Sequence, residues 1–261
     1  MTASPAASEV VPRPLTVAGR RLDAVEWPGD PARAALVLLH EGLGSVGLWR
    51  GFPGALARAT GRRVLAFSRF GHGRSEPPAR PRTPRFFHEE ALEVLPEVLA
   101  QLEAPEPVLV GHSDGGSIAL IHAAAHPVRG LALLAPHVVV EQLTVDAIRR
   151  TDAEYAEGAL RGRMSRHHDD VDAAFRGWRD VWLDPEFPAW TIEEETAQVG
   201  VPVLLVQGAD DPYGTLLQLD RIEARVRGPL QRLVVPGGHA PHLEQPDAVV
   251  GAIAAFAAGL G

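Results

Sequence analysis

The chain has 261 residues, 46% hydrophobic and 22% charged, which fits one large soluble domain and argues against disorder or a membrane-spanning protein. Cysteine is absent and all 25 basic residues are arginine, so disulfides, thiolate metal sites, cysteine nucleophiles, lysine Schiff bases and a P-loop phosphate lysine are excluded. A formal charge of −8 argues against a nucleic-acid partner and points to a small molecule.

The first residues, Met1–Leu15, lack a basic start followed by an apolar run, so they read as a flexible lead-in without a secretory signal. The expected location is cytoplasmic, with no membrane partner. Leu15–Trp27 alternates around Gly19 and predicts an antiparallel hairpin leading into a sheet. Short apolar runs bounded by Gly and Pro then recur at Ala35–Leu39, Val64–Ser68, Pro107–Val110, Gly130–Leu134, Val203–Gln207 and Gln231–Val235. Helical patterns lie between them at Leu48–Thr60, Pro84–Leu102, Gly116–Ala125, Gly214–Val226 and Asp247–Ala258. This alternation predicts an α/β fold, a mostly parallel sheet of about eight strands flanked by helices.

Between Pro136 and Val201 the spacing changes. Val145, Ile148, Asp152, Tyr155 and Ala159 fall at three- and four-residue steps, as do Val171, Phe175, Trp178 and Trp182. The expected organisation is one domain, a core of 1–136 and 201–261 with a helical cap, 137–200, inserted before the last two strands. Three of the five tryptophans, Trp178, Trp182 and Trp190, lie in that insertion. Trp178 and Trp182 are candidate pocket residues, although aromatic residues also bury small helical subdomains on a core.

The chemistry centres on Gly111-His112-Ser113-Asp114-Gly115, where an apolar strand ends and a helix opens. Glycines two residues before and two after Ser113 permit a sharp, strained turn that lifts its hydroxyl above the strand ends. A serine hydroxyl needs an imidazole in reach and an acid that fixes the imidazole tautomer. Asp210 and Asp211 follow one strand end and His239 follows another, on the rim where open α/β sheets keep their sites.

From about Leu15 to the end the chain resembles the α/β-hydrolase superfamily. The resemblance implies Ser113 as nucleophile, His239 as base and Asp211, three residues after Gly208, as the acid. It implies one oxyanion N–H from Asp114 and a second from the loop Leu39–Ser45, with Leu43 the first choice and Gly42 the second. It also implies that Ser68–Ser75 is a buttressing turn, and that no cofactor takes part.

Ser-Asp-Gly-Gly at 113–116 is similar to valacyclovir-hydrolase-like enzymes, which implies that Asp114 receives a substrate amino group. Asp114 also reads as a carboxylate favoured by the helix dipole, and Glu41 either as a substrate-facing group or as a hydrogen-bonded loop residue. Together they favour neutral or amine-bearing substrates over anionic ones, unless Arg69 or a cap arginine compensates. His167-His168 is not expected to hold a metal, because adjacent helical residues diverge by about 100°.

The expected activity is a serine esterase working through an acyl-enzyme, in a monomer or homodimer. Lactone opening, C–C bond hydrolysis and perhydrolysis on the same residues remain open. So does a non-catalytic small-molecule-binding protein of the same fold, which an intact Ser-Asp-His set disfavours.

Overall fold

The computed structural model describes residues 10–260, so residues 1–9 of the expected lead-in lie outside the described residues. Strand β1 (Val11–Pro12) lies at one sheet edge. Strands β2 (Leu15–Val17) and β3 (Arg20–Leu22) form the expected hairpin across Ala18 and Gly19. The φ values of that pair, 47° and 73°, make the left-handed two-residue turn that matches strand twist.

The main sheet continues with β4 (Ala24–Trp27), β5 (Leu36–Leu39), β6 (Val64–Phe67), β7 (Val108–His112), β8 (Gly130–Leu134), β9 (Val203–Gly208) and β10 (Leu230–Val235). Its order is β1-β4-β6-β5-β7-β8-β9-β10. The pairings β1–β4 and β4–β6 are antiparallel and the rest are parallel. The loops after β5, β7, β9 and β10 therefore leave the sheet on one rim.

Alternation along the strands feeds two apolar layers. Leu36, Leu38, Val108, Val110, Leu204 and Val206 pack on the helices Phe52–Thr60 and Pro246–Ala258. Val37, Leu39, Leu109, Leu131, Leu133 and Leu205 face the opposite layer. Each such side chain contributes about 1.5–3 kcal/mol by burial, which makes a one-residue register slip costly.

The helix expected over Gly214–Val226 is shorter, Leu217–Glu223, and two others are interrupted. The one expected over Leu48–Thr60 divides into a 3-10 turn, Val46–Trp49, and the helix Phe52–Thr60. Arg50 between them adopts φ 53°, ψ −128°, which no right-handed helix can carry. The one expected over Pro84–Leu102 contains a π-helical turn, Glu90–Val94, just before Pro96. Proline lacks an N–H and clashes with the preceding turn, and the wider turn absorbs that break.

Between β8 and β9 the chain is largely helical, with helices Gln142–Ala156, Ala159–Met164 and Val171–Trp182. Val171, Phe175, Trp178 and Trp182 share the buried face of the third, as their spacing predicts. Asp170 caps it by accepting from the Ala173 N–H at 2.9 Å. Phe187 stacks on Phe87 and Trp190 packs against it at a tilt, centroids 6.0 and 4.9 Å away, and together they tie this segment to the core. Among the described residues no helix is long and apolar enough to cross a membrane.

Candidate active site

Ser113 sits where β7 turns into the helix Asp114–Ala125, at φ 52° and ψ −117°. Such a backbone costs about 1–3 kcal/mol and persists only where the surroundings enforce it. Here they do, because a Cβ on Gly111 would lie 2.4 Å from the Gly115 oxygen and one on Gly115 would lie 2.0 Å from the Leu39 oxygen. The Ser113 N–H donates to the Leu134 carbonyl at 2.9 Å, which pins the turn to the neighbouring strand.

His239 Nε2 stands 2.9 Å from Ser113 Oγ, and His239 Nδ1 stands 2.7 Å from Asp211 Oδ2. A carboxylate only accepts, so Nδ1 carries the proton and the Nε2 lone pair faces the serine O–H. Asp211 is oriented in turn by Gln207 Nε2, donating to Oδ2 at 2.7 Å, and by the Tyr213 N–H, donating to Oδ1 at 2.8 Å. Asp210 is exposed and its amide bonds to Gly237. Glu244 accepts from the N–H groups of Gly238 at 2.6 Å and Ala240 at 3.2 Å, bracketing His239. His112 donates from Nε2 to the His239 carbonyl at 2.7 Å.

The loop after β5 is held by side chains at four successive carbonyls. Arg69 donates to His40 O and, at 3.0 Å, to Glu41 O. His72 Nε2 donates to Gly42 O at 2.9 Å and His168 Nε2 donates to Leu43 O at 2.9 Å. The Gly73 N–H donates to His168 Nδ1 at 3.0 Å, so both ring nitrogens of that histidine, which lies between β8 and β9, are committed. With its carbonyls engaged, the loop is fixed before any ligand arrives. The Leu43 N–H, the first choice for an oxyanion donor, already donates to Glu41 Oε2 at 2.5 Å. The amides of Gly42 and Asp114 have no such acceptor among the described residues.

A cavity of about 370 Å³ opens above Ser113, within the usual range for small-molecule pockets. Its lining brings together Ser113, His239, Glu41, Gly42, Leu43 and Asp114, and Trp178 and Trp182 cover them from the helical segment. Asp211 lies behind His239, outside the lining.

Asp114 is 1% exposed, and its Oδ1 accepts from Trp182 Nε1 at 3.2 Å. Burial pushes its carboxyl upward, and nearby Arg69 opposes the rise. Burial likewise raises Glu41, opposed first by the Leu43 N–H. Asp114 begins a helix and also lines the cavity.

His72 belongs to the expected buttressing turn, whereas Gln207, Tyr213, Glu244, His112 and His168 have no site role in the sequence expectations. Gln207 carried a signal, a polar residue ending an otherwise apolar strand. His242, three residues after His239, is buried beside Trp49 and His112, with centroids 5.0 and 4.8 Å away. Among the described residues no group of three His, Cys, Asp or Glu side chains is placed to hold a metal ion.

A sequence model described as the alpha/beta hydrolase family matches residues 36–252. The chain is 35% identical over 134 residues to mouse sn-1-specific diacylglycerol lipase ABHD11, covering 51% of this chain and 38% of that protein. It is 26% identical over 195 residues to the human serine hydrolase BPHL, covering 70% and 65%. The chain thus spans less than two thirds of the length of these relatives. Among solved structures, a membrane phospholipase A described as a bacterial virulence factor superposes with a TM-score of 0.80 at 20% identity, covering 96% of this chain and 86% of that one. The enol-lactonase from Burkholderia xenovorans LB400 superposes at 0.73 and 19%, covering 93% and 98%. At such identities these two likenesses speak for the fold alone.

Proposed function

The chain belongs to the alpha/beta hydrolase family, and from that premise we propose that it is a serine hydrolase cleaving a carboxylic ester-like bond of a small molecule through an acyl-enzyme. The observation that carries this reading is the hydrogen-bonded series Ser113–His239–Asp211, at 2.9 and 2.7 Å, beneath a ligand-sized cavity.

His239 Nε2 takes the Ser113 proton as Oγ attacks the carbonyl carbon, and Asp211 stabilises the imidazolium that forms. The amides of Asp114 and Gly42 receive the developing oxyanion, each worth about 3 kcal/mol in comparable sites. Leu43 would serve only after releasing Glu41. His239 then protonates the leaving oxygen, and water repeats the sequence on the acyl-enzyme, with no cofactor. The helices within 142–182 act as a cap that excludes bulk water.

The carboxylates of Glu41 and Asp114 beside the nucleophile favour neutral or amine-bearing groups near the scissile bond. Turnover of p-nitrophenyl esters, amino-acid esters and lactones by the purified protein, with Ser113→Ala as control, tests the reading. Serine-dependent ester turnover is the expected result. Tight ligand binding without turnover on any class would favour a non-catalytic binding protein instead.

A further inference from the structure

The cavity above Ser113 carries opposite charges at two depths. Asp114 is buried at its floor and Glu41 is half-buried, whereas Arg50, Arg163 and Arg166 are exposed at its mouth. Glu41 and Asp114 are the acids of the lining among the described residues.

The arginines come from two separate elements. Leu160, Arg163, Met164 and His167 follow one another at helical steps and all face the cavity, from the helix Ala159–Met164 and the turn after it. Arg50 reaches it from the core, at the end of the 3-10 turn. Elsewhere in the helical segment Arg149 pairs with Asp146, Arg161 with Asp172 and Arg179 with Asp152 and Asp180, while Arg150 and Arg176 lie outside the lining of this cavity. Among the described residues no ion pair or side-chain hydrogen bond engages Arg50, Arg163 or Arg166. In a chain of net charge −8, three unneutralised guanidiniums around one cavity make a local positive field.

Arg50 adds an independent observation. Its φ 53°, ψ −128° nearly repeats the strained backbone of Ser113 at φ 52°, ψ −117°. Glycine would relieve that strain, yet the position holds a long cation that lines the pocket.

We propose that this mouth is an anion subsite, so that the substrate is an ester whose end remote from the scissile bond carries a carboxylate or phosphate. The guanidinium forks hold that group while the uncharged ester carbonyl lies at Ser113, away from the floor carboxylates. The proposal rests on Ser113 being the nucleophile of an ester hydrolase. Because the arginines are exposed, the preference is salt-sensitive.

Ser113→Ala protein, which retains the pocket, is titrated calorimetrically with three acyl esters of equal length ending in a methyl, a carboxylate or a phosphate. At low salt the better anionic ester is expected to bind about tenfold more tightly than the methyl-ended one, and high salt is expected to erase most of that advantage. The larger of the two anionic advantages identifies the group. Adding Arg163→Gln, Arg166→Gln or Arg50→Gly is expected to cut the advantage about twofold each. Arg50→Gly is also expected to match or exceed the parent in thermal stability, which separates lost charge from lost structure. Equal affinities for the three esters, or no binding of any, overturn the subsite. Turnover of the same esters by the unmodified protein reads the other claim: an anion preference in binding without turnover would sink the hydrolase reading and spare the subsite.

Discussion

Asp211→Asn changes one atom type and should nearly abolish activity. Both carboxylate oxygens of Asp211 face donors, Oδ1 the Tyr213 N–H and Oδ2 the Gln207 amide, while His239 Nδ1–H points between them. An asparagine has one acceptor oxygen, so its NH₂ must confront at least one of these donors. Turning the NH₂ toward His239 forces the proton onto Nε2, where it meets the Ser113 hydroxyl and removes the base. The wrong tautomer costs about 10³–10⁴ in kcat in comparable sites, or about 4–5.5 kcal/mol of barrier. Weakening the charge-assisted bonds should cost roughly 1–3 kcal/mol of stability, a shift of a few degrees in Tm. Steady-state ester hydrolysis, with folding checked by thermal unfolding, measures both effects. Asp210→Asn, at the exposed neighbour, is the control and should stay within about twofold of the parent, as surface changes usually do. Retention of more than about a tenth of kcat in Asp211→Asn, or an equal loss in Asp210→Asn, would refute the reasoning.

Asp114→Asn removes a buried charge while keeping an acceptor for Trp182, and should raise stability by roughly 1–2 kcal/mol in denaturant unfolding; a loss would show that attraction to Arg69 outweighs desolvation. Glu41→Ala frees the Leu43 N–H, so an increase in kcat would identify Leu43 as an oxyanion donor, whereas the Gly42 assignment predicts no gain. Burial pushes His137 and His242 down to about 3, far below their unfolded value. The unfolded chain therefore binds more protons between about pH 6.5 and 3, and the two histidines make stability fall on acidification by up to about 2.7 kcal/mol per pH unit. Burial also lowers His40, His72, His112, His122 and His168, and the buried acids Glu41, Glu90 and Asp114 are shifted upward and act in the opposite sense, so His242→Gln, which should flatten the slope, isolates that one histidine's share. An unchanged slope in denaturant unfolding of that variant would contradict this origin.

The central strands were legible because they are buried on both faces and read as apolar runs; Gly130–Leu134 keeps the same bounds in the structure. Ser113, Asp211 and His239 were legible because each follows a strand end, and parallel strands bring those ends to one rim. The break at Arg50 was not, since an ordinary residue there adopts a conformation that only tertiary contacts enforce. Nor was the engagement of the Leu43 amide, which depends on a side-chain rotamer two residues away. His168 was considered only for metal binding, because nothing local reveals that Leu43 and Gly73 meet it across the fold.

The most direct test of the account is the site of covalent capture. Incubation with a fluorophosphonate, followed by intact mass and peptide mapping, should give one adduct per chain, on Ser113, in step with loss of ester hydrolysis. Ser113→Ala should take up none. Full activity in a labelled protein whose adduct maps elsewhere, or hydrolysis that survives without Ser113, would contradict the assignment of the nucleophile and the mechanism built on it.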